Sequence, residues 1–400
     1  MQKRILLLII ICLSACPIGI YAFPQITDSA KVSILYCSPG EEIYELFGHT
    51  GLRVCDSSKN IDIVFNYGLF DFNQKDFIMR FVRGKTDYQV GVNMYNDFIY
   101  IYESRGSGIN ECVLDLSPEE KKEIIDYLLW NIKPENCVYR YNFIFNNCAT
   151  KIRDIIEQSV HGKIIYPSIT ESISFREAIM QYTKNAAWSQ FGFDICLGMG
   201  MDRMATEREL MFLPENLNLT YAESTVVDST YNVKNIVSSN EQIIPILREE
   251  GKQWFTPTLC GYILLALIIA LSVFGYINHK SFKVFDITIF TINGLFGCVI
   301  LFLILFSQHP FTNDNYNIIW LNPLAFFPLL TLIFKSLKKI KVIYYGFVSI
   351  VLTFFLVSMP IIPQFFNDAV VPFTLIYLVR SASHALYWGY HRNTKKGQNN

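Results

Sequence analysis

The stretch "YNFIFNNCATKIRD" (Tyr141–Asp154) sets two asparagines directly before a cysteine, where a helical periodicity begins. Ile152, Ile155 and Ile156 recur at the spacing of one helix face and predict a helix from Cys148 to Val160. Asn146 and Asn147 suit the turn and cap positions ahead of it. A thiol at that end of a helix meets free N–H groups and a partial positive charge, and both lower its pKa. The thiolate form would be a nucleophile. The alternative is a small, buried and inert cysteine.

The surroundings of this stretch read as an α+β segment. "KVSILYCS" (31–38), "HTGLRVCD" (49–56), "DIVFNYGLFDF" (62–72), "TDYQVGVNMY" and "NECVLDLS" carry strand-forming residues, several in alternation. "SPEEKKEIIDYLLWNI" (117–132) is a helix whose Ser117 and Glu120 make a capping box. "SFREAIMQYTKNA" is a further helix, followed by the Gly/Met-rich loop "LGMGMDRMATE". The strands are expected to run antiparallel.

Hydrophobic residues make up 51% of the 400, and they are unevenly spread. Residues 24–255 are polar and charged, whereas 256–390 hold about five apolar stretches of near-spanning length, at 257–277, 286–306, 318–334, 342–360 and 369–386. Within lipid, helices satisfy their own backbone, so a helical membrane bundle is expected. The loops "NHKSFK" and "KSLKKIK" and the tail "HRNTKKGQNN" (391–400) are basic, while "SQHPFTNDNYN" and "PIIPQFFND" lack Lys and Arg. Basic loops stay in the cytoplasm, which puts 24–255 and the His309 loop outside. Residues 1–22 agree independently: a basic start (Lys3, Arg4), an apolar core and a small residue at Ala22 read as a secretory signal or an uncleaved anchor. "LSAC" (13–16) offers a second reading, lipidation at Cys16.

The net charge of −1 predicts no attraction to nucleic acid. No His-Glu-x-x-His, Cys-x-x-Cys or Gly-x-Ser-x-Gly is present, and no His/Cys cluster suggests a metal or cofactor. Of the ten cysteines, six fall in the exported part, where an oxidising compartment permits disulfides. Of the six histidines, His279, His384 and His391 lie toward the cytoplasm by this topology. His161 reads as a helix C-terminal residue. His49 opens a strand about a hundred residues before Cys148 and is the candidate base. The loop "QHPFTNDNYNIIWLNP" (308–323) is either a solvated turn with an aromatic belt or a polar shelf meeting a lipid headgroup or the exported part.

Histidine on an early strand and cysteine on a later helix resemble the permuted papain-like fold of NlpC-type hydrolases and lecithin:retinol acyltransferase. More closely, "FGHTGLRV", "FNYGLFDF", "YRYNFIFNNCATKIRD", "FGFDICLGMGMDR" and the 308–323 loop together resemble the Lnb family of bacterial membrane proteins. The resemblance covers nearly the whole chain. It implies a multi-pass protein of the bacterial inner membrane whose periplasmic, papain-like 24–255 region moves an acyl chain from phospholipid to the α-amino group of a diacylated lipoprotein. Under it, Cys148 carries the acyl group as a thioester and His49 is the base. Asn66 is the expected third residue, ahead of Asp62. Substrate contacts are expected from Asn147, Tyr67, His309, Asn315 and Trp320. The competing readings are a cysteine peptidase or amidase, and a transporter partner with a structural Cys148. The transporter reading is weakened by the small number of polar residues apparent within the spans.

Overall fold

The computed structural model describes residues 26–71, 75–168, 172–248, 251 and 253–397, with side chains through 386. The signal or anchor expected at 1–22, with Cys12 and Cys16, lies outside the described residues, as do the side chains of the 391–400 tail.

Ten strands and eight α-helices precede the apolar helical part among these residues. They run β1 (Lys31–Cys37), β2 (His49–Asp56), β3 (Ile61–Leu69), α1 (Phe77–Val82), β4 (Asp87–Met94), α2 (Tyr95–Glu103), β5 (Ile109–Leu114), α3 (Pro118–Asn131), β6 (Val138–Arg140) and α4 (Cys148–Ser159). After these come β7 (Lys163–Ile165), α5 (Phe175–Thr183), α6 (Ala187–Cys196), α7 (Glu207–Leu210), α8 (Pro214–Glu223), β8 (Thr225–Val227), β9 (Val233–Asn235) and β10 (Val237–Ile244). Seven strands form one antiparallel sheet in the order β10-β5-β1-β2-β3-β4-β6. Alternation decides its faces. Leu52, Val54, Ile63, Phe65 and Tyr67 point to one side, where Ile124, Ile125 and Leu128 of α3, Ile152, Ile155 and Ile156 of α4, and Leu217 and Tyr221 of α8 complete the main core. Val64 points to the other side, where Phe98 of α2 covers it. The capping box expected at Ser117 and Glu120 forms, with bonds of 3.2 and 2.8 Å.

Two segments of this part end their strands early. The fourth strand, expected over "TDYQVGVNMY", ends at Met94, because Tyr95 starts α2, whose Phe98 is drawn into the core. The segment 137–145 is strand only at 138–140. It then folds into a tight loop in which Asn142 Oδ1 accepts from the N–H groups of Ile144 and Phe145.

The apolar region is helical: α9 (Pro257–Ile277), α10 (Lys283–Phe306), α11 (Phe327–Ile333), α12 (Lys341–Ser358) and α13 (Val370–Gly397). Four stretches are long and apolar enough to cross a membrane, and Val370–Leu386 is a shorter apolar helix. The stretch expected as one helix at 318–334 is broken into 3-10 turns at Tyr316–Ile319 and Pro323–Phe326 before α11. Pro323 and Pro328 lack the N–H that a continuous helix needs. The bundle is also more polar inside than its sequence suggested. Buried Asp286 pairs with Arg380 at 2.6 Å and with His384 at 2.7 Å, and Asn293 donates to the Trp320 carbonyl at 2.8 Å. Each is matched to a partner, which is how such groups are tolerated away from water.

Candidate active site

Cys148 is the first residue of α4, and Asn147 is its N-cap. The Asn147 Oδ1 accepts from Thr150 N–H at 2.9 Å, while Thr150 Oγ1 accepts from Asn147 N–H at 2.8 Å. The Asn147 amide also donates to the carbonyls of Phe143 and Phe212, at 2.7 and 2.8 Å. The helix start is therefore fixed from both sides, and Cys148 is held half-buried at its positive end.

His49 opens β2, and antiparallel pairing of β2 with β3 brings Asn66 beside it. The His49 Nε2 and Asn66 Oδ1 are 2.7 Å apart, and Asn66 Nδ2 donates to Asn93 Oδ1 at 3.1 Å. With Nε2 engaged by an acceptor, the other ring nitrogen is left for the thiol. Gly68 lies against both groups: a Cβ placed there would stand 3.9 Å from Cys148 Cβ and from His49 Cε1. The Tyr102 ring stacks on the imidazole at a centroid distance of 6.2 Å.

The electrostatics follow from this arrangement. Burial by itself pushes the Cys148 thiol pKa up. The charge and hydrogen bond of His49, together with the N–H and hydroxyl of Thr50, outweigh it and lower the value to about 7. Burial works to lower the His49 pKa, but the Cys148 charge and hydrogen bond, and the Asn66 bond, raise it overall. The pair is thus poised toward thiolate and imidazolium.

The other residues singled out in the sequence fall elsewhere. Asn147, expected to touch substrate, has its side-chain oxygen in the cap and its amide N–H groups on the Phe143 and Phe212 carbonyls. Tyr67 is on the core face of β3, and its hydroxyl donates to Asn131 at 2.7 Å, so it belongs to the packing. Asp62 binds Arg53, at 2.8 Å, in a network with Glu111. His309, Asn315 and Trp320 lie in the seam between the sheet-bearing part and the bundle. The ring Nε2 of His309 meets the Phe81 carbonyl at 2.5 Å. Asn315 Nδ2 donates to the Ile195 carbonyl at 2.7 Å, and the buried Trp320 Nε1 donates to Asn317 Oδ1 at 2.9 Å. Asp194 of α6 joins the same seam: its carboxylate takes Arg176 at 3.0 Å and Asn367 at 2.9 Å. Of the two readings of the 308–323 loop, docking against the exported part is the one these bonds describe. The eight described cysteines are unpaired.

Residues 24–173 match the family model described as the Lnb N-terminal periplasmic domain, and residues 249–392 match the one described as the Lnb transmembrane domain. The chain belongs to the Lnb family. It is a membrane protein with a periplasmic domain, and membership suggests an enzyme of lipoprotein processing. No curated protein and no solved structure is matched. Within this Lnb site, sequence reasoning missed Thr50, Asn93 and Tyr102. Thr50 was legible in part, as the neighbour of His49. Its hydroxyl is fully buried and has no conventional hydrogen-bond partner, which leaves it to serve the sulfur. Asn93 needed the register of β3 against β4, where it sits opposite Val64.

Proposed function

We propose that this protein transfers a fatty acyl chain from a membrane phospholipid to the α-amino group of a diacylglyceryl-cysteine lipoprotein. Cys148 Sγ attacks the donor ester carbonyl as thiolate. The tetrahedral adduct collapses with release of the lysophospholipid, whose alkoxide takes a proton from His49. The acyl group is then a Cys148 thioester. The lipoprotein amine attacks it, His49 removes the amine proton, and the thiolate leaves. Asn66 holds the imidazole in the tautomer and direction these transfers need, and Asn93 holds Asn66. The Cys148 N–H, free at the helix start, is the oxyanion donor. Acid–base help of this kind contributes roughly a hundred- to ten-thousand-fold.

The observation that carries the reading is a helix-capped Cys148–His49–Asn66 constellation on a sheet-bearing part that is bonded to the apolar helical bundle through Ser307 and the 308–323 loop. Both substrates are lipid-anchored, so the thiol has to stand at a membrane surface. On this reading the 24–255 region is a circularly permuted papain-like domain, and residues 256–390 cross the inner membrane five times. The N-terminal 1–22 segment exports the domain, and the 391–400 tail is cytoplasmic.

The test uses the full chain in phospholipid with a synthetic diacylated lipopeptide, followed by mass spectrometry. The lipopeptide should gain one acyl mass, and the gain should vanish in Cys148→Ala and His49→Ala. Cleavage of the peptide would instead favour a cysteine peptidase or amidase. Transfer that survives Cys148→Ala would refute both.

A further inference from the structure

A bilayer-anchored donor needs a route to the thiol. Helix α1, "FIMRFV", buries none of its residues. Ile78, Met79 and Phe81 are 78%, 54% and 44% exposed. Large apolar side chains gathered in this way mark a surface that meets another apolar phase.

The helix is tied to the outer end of a membrane helix. Ser307 follows Phe306, the last residue of α10, and its Oγ donates to the Val82 carbonyl at 2.9 Å. Gln308 N–H donates to the Arg83 carbonyl at 2.9 Å, and the His309 ring meets Phe81 with centroids 5.4 Å apart. The two backbones cross at Gly84, whose φ is +65° and where a Cβ would fall 2.6 Å from His309 N. Only glycine allows that crossing. These bonds hold α1 beside the end of α10.

A row of rings runs inward from there. Centroid distances are 6.3 Å from Phe81 to Phe77, 5.7 Å from Phe77 to Phe70, 4.8 Å from Phe70 to Tyr88 and 4.1 Å from Tyr88 to Tyr141. Exposure falls from 44% at Phe81 to 7% at Tyr88, and Tyr141 beyond it is half-buried. Its inner end adjoins the reacting groups. Gly68, two residues before Phe70, lies against Cys148 and His49. The Tyr141 phenol, raised in pKa mainly by burial, also feels the Cys148 charge.

We propose that α1 sits in the outer leaflet and that Phe81, Phe77, Phe70 and Tyr88 form the path along which a phospholipid acyl chain reaches Cys148. Each methylene that leaves hydrocarbon for water costs free energy, and a continuous aromatic surface avoids that cost. The chemistry at the end of the path rests on the acyl-transfer reading, whereas the lipid contacts along it do not.

Photo-crosslinking tests the path directly. The full-length Cys148→Ser protein is placed in nanodiscs containing a phosphatidylcholine with a diazirine on its acyl chain. Adducts are expected on Ile78 or Met79 and on Phe70 or Tyr88. Adducts confined to α9, α10, α12 and α13 would overturn the proposal. Adducts on α1 with none at Phe70 or Tyr88 would overturn the path. A second measurement follows acylation of Cys148 by intact mass, from phospholipid vesicles and from p-nitrophenyl acetate. In Ile78→Asp, at an exposed position, the ratio of the two rates should fall at least about ten-fold, since binding to the lipid donor alone is weakened. An unchanged ratio would overturn the proposal. Wild-type protein that crosslinks at Phe70 or Tyr88 but takes no acyl group would support the path and count against the acyl-transfer reading.

Discussion

At the scale of single residues, the pH behaviour of Cys148 is the sharpest consequence of the site. Its thiol is lowered to about 7, so the thiolate is present above that pH and is lost as pH falls through it. The rate of alkylation by iodoacetamide should therefore rise with a midpoint near 7. In His49→Gln the midpoint should move up, because the charge and hydrogen bond that oppose burial are gone. Thr50→Val tests the smaller contribution. It removes a buried hydroxyl with no conventional partner, so stability should change by less than about 1 kcal/mol, while the alkylation midpoint rises. Asn66 acts through His49, and Asn66→Ala should lower acyl transfer by part of the roughly hundred- to ten-thousand-fold that acid–base help supplies. A pH–rate profile separates that from a folding defect: Asn66→Ala should also shift the His49 limb downward, since the Asn66 bond raises the imidazole pKa.

Among the elements, α4 has the most at stake in its cap. Asn147 satisfies an N–H of the first turn and also anchors the loops at Phe143 and Phe212. Asn147→Ala should cost about 1–2 kcal/mol for the cap alone, seen as a lower Tm for the full chain. The alkylation midpoint should rise with it, because a frayed first turn no longer aims its N–H groups at the sulfur. The cap is legible in the residues "NNCAT" themselves, as are the helices at 117–132 and 148–160, because capping and apolar periodicity are local signals. The elements α1 and α2 are not legible in this way. Six or nine residues with mixed polarity carry little periodic signal, and Phe98 marks itself as core only once β3 is beside it.

For the whole molecule, the seam between sheet and bundle decides where the thiol stands relative to lipid. Gly84→Ala would push a Cβ into the backbone of the 308–323 loop. Alkylation of Cys148 should stay nearly as fast, since Gly84 lies against Gln308 and His309 and makes no part of the Asn147–Thr150 cap. Acylation from phospholipid should fall by roughly ten- to a hundred-fold, the order expected when reacting groups are displaced by about 1 Å. Comparing the two rates on one preparation checks this. His309, Asn315 and Trp320 stand out in the sequence as polar and aromatic groups beside a membrane, which suggests substrate contact. In the structure the His309 Nε2, the Asn315 amide and the Trp320 Nε1 bond to protein partners.

The sequence by itself determined the division into an exported part and an apolar helical one, the capped Cys148 helix and His49 as its candidate base. The first two rest on runs, periods and charges that are local signals, and His49 follows by elimination among the six histidines once the basic loops set the topology. Tertiary structure alone decided that Asn93 stands behind Asn66, that Thr50 faces the sulfur, and that the 308–323 loop binds α1 and α6. Those facts depend on strand register and on which side chain finishes another's hydrogen bonds, and neither is written in local sequence.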